Sequence, residues 1–481
     1  MNSPVNIKQI IEKFGPPGYE NTKSQLTKLN EAFWAAWFAA SREQIIFEVN
    51  EREFYDYLPG NGLFAPKSAD RIRTELAAQI YEASRTFDGY GALEQLRTTA
   101  NLLGVVSHLR GQVEQRNFFN QPFHYVHLGN CTLKFELDGS YTVQQFSPEH
   151  RSRNQSPICY DARARCPEFC EKILGHLEKD DQTLIQKYSG QCLLGRNLTQ
   201  RFVILDGVGN ASKSALVGVL NGVVGPQNVY GLRTSLLNER FEIGRMIGRT
   251  LLIGPDVKGN FLSESGAHWI KALVGGDPLV AETKNSNQKF TIYGLFNLLI
   301  TSNVRLRISL EGDESAWERR LLIVRYDKVY NGQRIFEIEK YLLGKEAPGI
   351  LNWCINGLSM LYRDYSKAGD IILSADQQKR ISDLLGESDS LRIFVRNEIV
   401  RDDTKMGCNG QSYSLTTKEI IDEYIEDCAK VKNWTPVSSA SAEKRLPVLM
   451  LQCFGVGKSH DIPRPPSKSG QRGFWNVRFH P

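Results

Sequence analysis

The chain has 481 residues, of which 41% are hydrophobic, 23% charged and 10% aromatic. At roughly 100 to 200 residues per domain this length predicts two to four domains, and the composition excludes disordered, collagen-like and mini-protein classes. The formal net charge of +5 is too small to indicate a polyanion partner by itself. Lysine and arginine are nevertheless concentrated after residue 443, where Asp461 is the sole acidic residue. This basic tail is a candidate surface for nucleic acid.

The apolar runs and the cysteines bear on location and metal binding. The longest apolar run, residues 32–40, is too short to span a bilayer, and residues 1–14 lack the apolar core of a signal peptide. We therefore expect a cytoplasmic protein without a membrane partner. The nine cysteines are scattered, and only Cys166 and Cys170 lie close together without a second Cys or His pair nearby. This spacing favours reduced structural thiols over a zinc site.

The first part of the chain, residues 1–178, is predicted to be an α+β accessory or collar region. From residue 22 to residue 110 the pattern is mainly that of amphipathic helices, for example at residues 31–40 and 68–86. Residues 123–146 alternate between apolar and polar side chains on either side of an Asp-Gly turn, which predicts a hairpin.

The middle of the chain changes to short apolar runs separated by helical stretches. Such runs are typical of an α/β sheet that is covered on both faces. The sequence therefore predicts an α/β core over residues 179–330, followed by a helical extension over residues 331–375. The predicted strands of the core are residues 202–205, 250–253, 295–301 and 321–324.

The last domain, residues 385–481, is predicted to contain three helices and a hairpin. The helices are expected at residues 390–400, 417–430 and 438–451, with Pro447 ending the third one early because proline breaks the helical hydrogen-bond ladder. The hairpin is expected within residues 453–479.

The stretch after the first core strand has the composition of a phosphate-binding loop. In such a loop successive backbone N–H groups and a helix N-terminus face the phosphates, Lys213 reaches the β- and γ-phosphates, and the Ser214 hydroxyl ligates Mg²⁺. Ser212 stands where the usual pattern G-x-x-x-x-G-K-[ST] has glycine. The alternative is a Gly-rich turn without a ligand. The expected binding residues for ATP are Gly207, Val208, Gly209, Asn210, Ala211, Ser212, Lys213 and Ser214.

A second Gly-Lys-Ser triplet, at residues 457–459, resembles a phosphate loop superficially. It lacks the first glycine of the pattern, and prolines follow where a helix should begin. We interpret it as a turn in a basic hairpin.

Polar side chains follow the next two core strands. Asp256 ends the strand over residues 250–253 and is the candidate Mg²⁺ ligand. Because Val257 follows it instead of a second acid, Glu264 is the alternative carboxylate for activating water. Asn303 follows the third strand, where a neutral polar group can hold the attacking water.

Basic residues between and after these strands suggest further roles. Lys271, Lys284 and Lys289 belong to a segment that is predicted to form a basic hairpin loop, for which ordinary solvated surface is the alternative. Arg319 and Arg320 precede the last core strand, and arginines near a phosphate loop are candidates for a finger that completes a neighbour's site.

The order of these motifs resembles motifs A, B, B′, C and the arginine finger of superfamily 3 helicases, and more narrowly the helicase half of phage and plasmid primase-helicases. Residues 158–167 and 193–196 are similar to the collar region before the loop, and residues 346–353 lead into a tail similar to the winged-helix domain of that family. The resemblance implies an AAA+-like P-loop core that forms a ring, usually a hexamer. It also implies ATP at subunit interfaces and translocation on single-stranded DNA, usually 3′ to 5′.

Residue by residue, the resemblance carries over as follows. Lys213 and Ser214 would bind phosphates and Mg²⁺, Asp256 would bind Mg²⁺, and Asn303 would be the sensor. Arg320 is the first choice for the finger and Arg319 the second. The residues expected to contact single-stranded or forked DNA are Lys271, Lys284 and Lys289 in the core and Lys444, Arg445 and Lys458 in the tail.

Three functions are consistent with these motifs. The leading hypothesis is an ATP-dependent replicative DNA helicase of a mobile element. A DNA-binding initiator or scaffold with a weak or inactive ATPase is the main alternative, and a small-molecule kinase would leave the basic hairpin and tail unexplained. Because no paired metal-binding carboxylates occur before residue 150, we expect a separate primase or initiator protein as partner.

Overall fold

The chain has a mixed α/β fold with a parallel sheet at its centre. None of the helices described combines the length and the apolar composition that a membrane span requires. The computed structural model describes residues 6–23, 25–86, 91–120, 124–209, 211–239, 241–263, 267–282, 289–310, 314–328, 335–406, 411–430, 436–464 and 470–480.

The N-terminal region contains more strand than the sequence predicts. The helices expected at residues 31–40 and 68–86 are confirmed, but a four-stranded sheet of order β5-β4-β3-β6 lies between and beside them. Helices still make up more of residues 22–110 than strands do, so the prediction is right about the helices but missed these strands. Its elements are α1 (Ile7–Phe14), β1 (Gly18–Glu20), β2 (Leu26–Leu29), α2 (Glu31–Ala40), β3 (Ile45–Glu48), β4 (Glu53–Leu58), β5 (Leu63–Lys67), α3 (Ala69–Thr86), α4 (Thr99–Gln112) and β6 (Glu114–Gln115).

Aromatic pairs across the strands explain this sheet. Phe47 on β3 lies opposite Phe54 on β4 with ring centroids 4.9 Å apart, and Tyr57 on β4 lies opposite Phe64 on β5 at 5.3 Å. Such cross-strand pairs stabilise a sheet by roughly 0.2–1 kcal/mol each. They form between runs of only four to six residues, which are too short for the period to be recognised in sequence.

A second, three-stranded sheet follows. Its last two strands form the hairpin expected within residues 123–146, and Gly139 in the turn has a φ of 81°. This part of the chain contains β7 (Tyr125–His127), β8 (Thr132–Phe135), β9 (Tyr141–Gln144), α5 (Pro167–Phe169) and α6 (Lys179–Leu194).

The central sheet has five parallel strands in the order β11-β12-β15-β10-β16. All four predicted core strands are confirmed, with ends that differ from the predicted ones by at most two residues. The elements are β10 (Phe202–Gly207), α7 (Lys213–Val224), β11 (Val229–Gly231), β12 (Leu251–Gly254), α8 (Ala267–Gly275), β13 (Pro278–Glu282), β14 (Lys289–Tyr293), β15 (Asn297–Ser302), α9 (Glu314–Glu318) and β16 (Leu321–Tyr326).

Both faces of this sheet are covered. Val203 and Leu205 point into a core that includes α6, α7 and the long helix α10 (Ile338–Ala368). The alternate residues Phe202 and Ile204 point into a second core with α8 and α11 (Ala375–Ser388). Two faces buried against helices account for the uninterrupted apolar runs.

A buried ion pair joins α6 to α11. Asp181 is fully buried, and its Oδ2 accepts a hydrogen bond from Arg380 at 2.6 Å. Gln377 donates to the other oxygen at 3.2 Å. These partners satisfy a charge that would be costly to bury alone.

The C-terminal region has its own apolar core. The three expected helices and the hairpin are confirmed, but Pro447 lies inside α14 and does not end it. Leu446, Leu449 and Met450 are buried in that core and hold the helix through the proline. The elements are α12 (Ser390–Glu398), β17 (Ile399–Arg401), β18 (Lys405–Met406), β19 (Gln411–Ser412), β20 (Ser414–Thr416), α13 (Thr417–Lys430), α14 (Ser439–Phe454), β21 (Lys458–Ile462), β22 (Gln471–Trp475) and β23 (Val477–Phe479).

The second Gly-Lys-Ser triplet lies at the start of this hairpin, as predicted, but Lys458 and Ser459 lie in a strand instead of the predicted turn. Gly455 ends α14 in a left-handed conformation with a φ of 66°. Lys458 then begins β21 and pairs with Phe474 on β22. A strand follows this triplet where a phosphate loop needs a helix.

Candidate nucleotide-binding site

The strand order of the central sheet creates a crevice at its carboxyl edge. β10 and β15 are neighbours in the sheet. The connection after β10 leads to β11 at one edge of the sheet, and the connection after β15 leads to β16 at the other edge. The two connections cover opposite faces, because α7 belongs to the first core and Trp317 of α9 to the second. In open α/β sheets ligands bind at such a switch point.

The loop from β10 to α7 lies at this crevice. Gly207 has a φ of 136°, and a Cβ there would lie 2.3 Å from the Tyr326 carbonyl oxygen, so only glycine fits. The next N–H, that of Val208, donates to the same carbonyl at 3.0 Å. Ala211 is buried and its carbonyl accepts from His176 Nε2 at 3.0 Å. The loop is thus fixed at both ends, while Asn210 lies outside the described residues.

Ser212 shows why the usual pattern has glycine before the lysine. Its backbone is left-handed, with φ 65° and ψ 9°, and its side chain makes no capping hydrogen bond to α7. Residues with a Cβ adopt this conformation at a cost of roughly 1–2 kcal/mol. The departure from glycine therefore leaves the shape of the loop intact but strains it.

Lys213 is folded back over the loop. Its side chain is only 5% exposed, and Nζ donates to the carbonyls of Gly207 at 2.6 Å and Val208 at 2.8 Å. Burial lowers the pKa of Lys213, although the charges of Asp206 and Asp256 act in the opposite direction. The Ser214 side chain at the start of α7 is exposed.

Asp256 and Asn303, 47 positions apart in the chain, meet beside this loop. The Asn303 side-chain amide donates to Asp256 Oδ1 at 2.5 Å, and Thr301 Oγ1 accepts from the Asp256 N–H at 2.8 Å. Both Asp256 and Asn303 are exposed. A carboxylate and the Ser214 hydroxyl are oxygen ligands of the kind that Mg²⁺ prefers. Glu264, the alternative acid, lies outside the described residues.

Arg305 is a site residue that sequence reasoning missed. Its guanidinium lies 3.1 Å from Asp206 Oδ2 at the end of β10 and 2.8 Å from Glu387 Oε2 on α11. An arginine after a strand resembles ordinary surface. Asp206 could have pointed to Arg305 in the sequence, because an acidic side chain at the end of a buried strand needs a cationic partner.

The two finger candidates differ in exposure. Arg320 is 6% exposed, donates to the Ala316 carbonyl at 2.9 Å and lies against Gly275, whose added Cβ would be 3.0 Å from its Nη2. Arg319 is exposed. The packing therefore leaves Arg319, and not the preferred Arg320, accessible, and the choice of finger stays a prediction.

Of the three core lysines predicted to contact DNA, the structure describes the side chain of one. Lys271 Nζ lies 5.4 Å from the ring centroid of Trp317, so it packs on its own subunit. Lys289 pairs with Glu282 across the β13–β14 hairpin, but its side chain lies outside the described residues, as does Lys284.

The three tail candidates also differ. Lys444 on α14 is exposed, and Lys458 on β21 is half-buried. Arg445 Nη2 lies 2.6 Å from the buried carboxylate of Asp389, so its charge is used within the domain. The structure thus leaves Lys444 as the most accessible of the three.

A family described as a family of unknown function (DUF5906) matches residues 205–320, from β10 to the residue before β16. The apo structure of the NrS-1 C-terminal region, residues 305–718, covers 93% of this chain and 98% of that chain, with 12% identity and a TM-score of 0.49. An A-form apo structure of the same region has 13% identity and a TM-score of 0.44. No curated protein matches the chain.

Proposed function

We propose that the chain is an ATP-dependent DNA helicase with a P-loop core, as the resemblance to superfamily 3 helicases implies. One observation carries the proposal: the loop that ends in Lys213 and Ser214 lies at the same sheet edge as the Asp256–Asn303 pair. A basic loop, a carboxylate and a neutral amide at a switch point are the parts that nucleotide hydrolysis needs.

Each residue has a distinct task in this proposal. Lys213 leaves the two loop carbonyls and binds the β- and γ-phosphates, while the loop N–H groups hold the remaining phosphate oxygens. Ser214 and Asp256 hold Mg²⁺, which when bound neutralises charge that develops on the phosphates. Asn303 orients the attacking water and stays in contact with Asp256.

DNA would be bound at two places. The β13–β14 hairpin would contact single-stranded DNA in the centre of a ring, usually a hexamer in the resembled family, and the three-helix domain with its β21–β22 hairpin would act as a winged helix on forked DNA. Lys444, on the exposed side of α14, is the leading candidate for the fork contact.

The chain supplies its own control for the loop assignment. Lys213→Ala should abolish ATP hydrolysis, whereas Lys458→Ala, in the look-alike triplet, should leave it unchanged without DNA. ATPase rates with and without single-stranded DNA, and unwinding of a labelled fork, measure this. Equal turnover in the parent and Lys213→Ala proteins would exclude the P-loop assignment.

A DNA-binding initiator or scaffold remains the second candidate, and two observations favour it. The Lys213 ammonium is already hydrogen-bonded to Gly207 and Val208, and Ser212 strains the loop, both of which oppose phosphate binding. ATP binding without hydrolysis, together with fork binding, would select this function.

Subunit mixing tests the finger. Arg319→Ala should reduce turnover by something like the 10³ to 10⁵ typical of arginine fingers while ATP binding persists. Mixed oligomers of Arg319→Ala and Lys213→Ala subunits should regain activity, because some interfaces then combine an intact loop with an intact finger. Recovery with Arg320→Ala in place of Arg319→Ala would restore Arg320 as the finger.

A further inference from the structure

A cavity of about 220 Å³ lies at the opposite edge of the central sheet from the loop of Lys213. Asn228, Thr250 and Phe296, which line it, directly precede β11, β12 and β15, so the cavity faces the amino ends of these strands. A buried water needs only about 10–15 Å³ of such space. The cavity therefore admits a ligand much larger than a water molecule.

Hydrogen bonds fix the walls of this cavity. The Asn154 amide donates to Asn228 Oδ1 at 2.9 Å and to the Gly248 carbonyl at 2.7 Å, and the Ser156 hydroxyl donates to the Val223 carbonyl at 2.5 Å. These bonds join the segment after the three-stranded sheet to the central sheet. The cavity is thus part of the folded structure, as small-molecule sites usually are.

The lining carries more positive than negative charge. Its two carboxylates are already engaged, since Glu51 pairs with Arg153 at 2.6 Å and Glu48 accepts from the N–H groups of Asn117 and Phe118 at 3.2 and 2.9 Å. Four arginines against two carboxylates give the lining a formal charge of +2, which favours an anion, and arginine binds phosphate in a bidentate manner. The lining arginines are Arg151, Arg153, Arg196 and Arg249.

Aromatic rings and one buried polar atom complete the site. Phe119 lies under the Arg153 guanidinium at 4.5 Å, and the Tyr125 ring lies 4.5 Å from that of His150. His150 is 6% exposed, and its Nε2 contacts Gln144 Oε1 at 3.1 Å. Among the residues that the structure describes, its Nδ1 has no hydrogen-bond partner. If Nε2 donates to Gln144, Nδ1 is an acceptor for a ligand N–H or O–H group.

We propose that this cavity binds a nucleotide unit, with the phosphate on the arginines and the base near Phe119 and Tyr125, at a site separate from the ATP loop. The unit is either a free nucleotide or one residue of a single strand. Tyr293 of β14, the strand that returns from the predicted DNA-binding hairpin, lines the cavity and is 44% exposed. The proposal does not depend on ATP hydrolysis at Lys213.

The test uses the full chain carrying Lys213→Ala, so that the loop does not contribute. The probes are AMP, measured by calorimetry, and a single-stranded oligo(dT), measured by fluorescence anisotropy over a range of salt concentrations. The site variant is Arg196→Gln with Arg249→Gln. The control is Arg245→Gln, an exposed arginine nearby that does not line the cavity.

The two sources of the nucleotide give different results. A free-nucleotide site predicts AMP binding that the site variant weakens by about tenfold or more, because two charged contacts are lost. A strand site predicts weaker oligonucleotide binding and a salt slope smaller by about 1.4, at about 0.7 per lost phosphate contact. The control should match the parent in both assays.

Two further measurements guard against a folding defect. Thermal denaturation must show that the site variant melts with its parent, and Phe119→Leu should weaken the same probe while leaving the charge unchanged. An oligonucleotide carrying 5-iododeoxyuridine should crosslink to Tyr125 if the strand enters the cavity. Unchanged affinity of the site variant for both probes overturns the proposal.

Discussion

Replacing Ser212 by glycine should stabilise the chain, because the residue is held in a left-handed conformation before α7. A residue with a Cβ loses roughly 1–2 kcal/mol in this conformation. Glycine loses roughly 0.5–1 kcal/mol more backbone entropy than alanine on folding. The difference leaves a gain of about 0.5–1 kcal/mol, which corresponds to a rise in Tm of roughly 1–4 °C for a domain of this size.

Two control variants separate backbone strain from other effects. Ser212→Ala keeps the Cβ and removes only the hydroxyl, so its Tm should stay at the parent value. Gln200→Gly relieves an exposed left-handed residue with a φ of 55° before β10, and should raise the Tm without changing ATP affinity. Ser212→Gly alone should also bind ATP more tightly, because the loop N–H groups can then approach phosphate without a Cβ between them.

The assays are differential scanning calorimetry and binding of a fluorescent ATP analogue, both on the full chain. A Tm for Ser212→Gly that is lower than that of Ser212→Ala would refute the assignment of the strain to the backbone. A higher Tm with unchanged ATP affinity would preserve the conformational argument and contradict the loop's role in binding phosphate.

The remaining predictions concern three ionisable side chains, those of Asp181, His127 and Arg305. Asp181→Ala should lower the free energy of unfolding by about 3–5 kcal/mol in urea denaturation, and Asp181→Ala with Arg380→Leu should lose less, because no buried charge is left unpaired. Burial lowers the pKa of His127 to about 4. The free energy of unfolding should therefore fall by about 3 kcal/mol as the pH drops from about 6.5 to 4, because only the unfolded state takes up the proton in this range. His127→Gln should remove this dependence on pH. Arg305→Ala should weaken ATP binding by about tenfold, because Asp206 is then free to pair with the loop lysine, and adding Asp206→Asn should restore binding. A free energy of unfolding that does not fall with decreasing pH would contradict the His127 prediction. Weak ATP binding by the double variant of Arg305→Ala and Asp206→Asn would contradict the Arg305 prediction.

The sequence predicts best what depends on local pattern. The core strands appear as apolar runs because two faces of the parallel sheet are buried, and the meeting of Asp256 and Asn303 follows from the neighbouring ends of β12 and β15. The N-terminal strands were missed because pairs such as Phe47 and Phe54 become meaningful only once the register is known.

The sequence could not predict which individual charged side chains are buried. Arg319 and Arg320 are adjacent and chemically identical, and only the packing of α9 makes one exposed and the other buried. The arginine-lined cavity was equally hidden, because Arg153, Arg196 and Arg249 come from three separate segments. The domain boundaries and the roles of Lys213 and Ser214 stay predictions.

β16 connects two parts of the molecule that belong to different active sites in the proposed ring. It begins immediately after Arg320 and ends at Tyr326, whose carbonyl accepts a hydrogen bond from the N–H of Val208 in the β10–α7 loop. At about 3.3 Å per residue the strand spans roughly 20 Å, and its hydrogen bonds to β10 keep it straight. If the proposed ring forms, a displacement of Arg319 would be transmitted along β16 to the β10–α7 loop of the same chain.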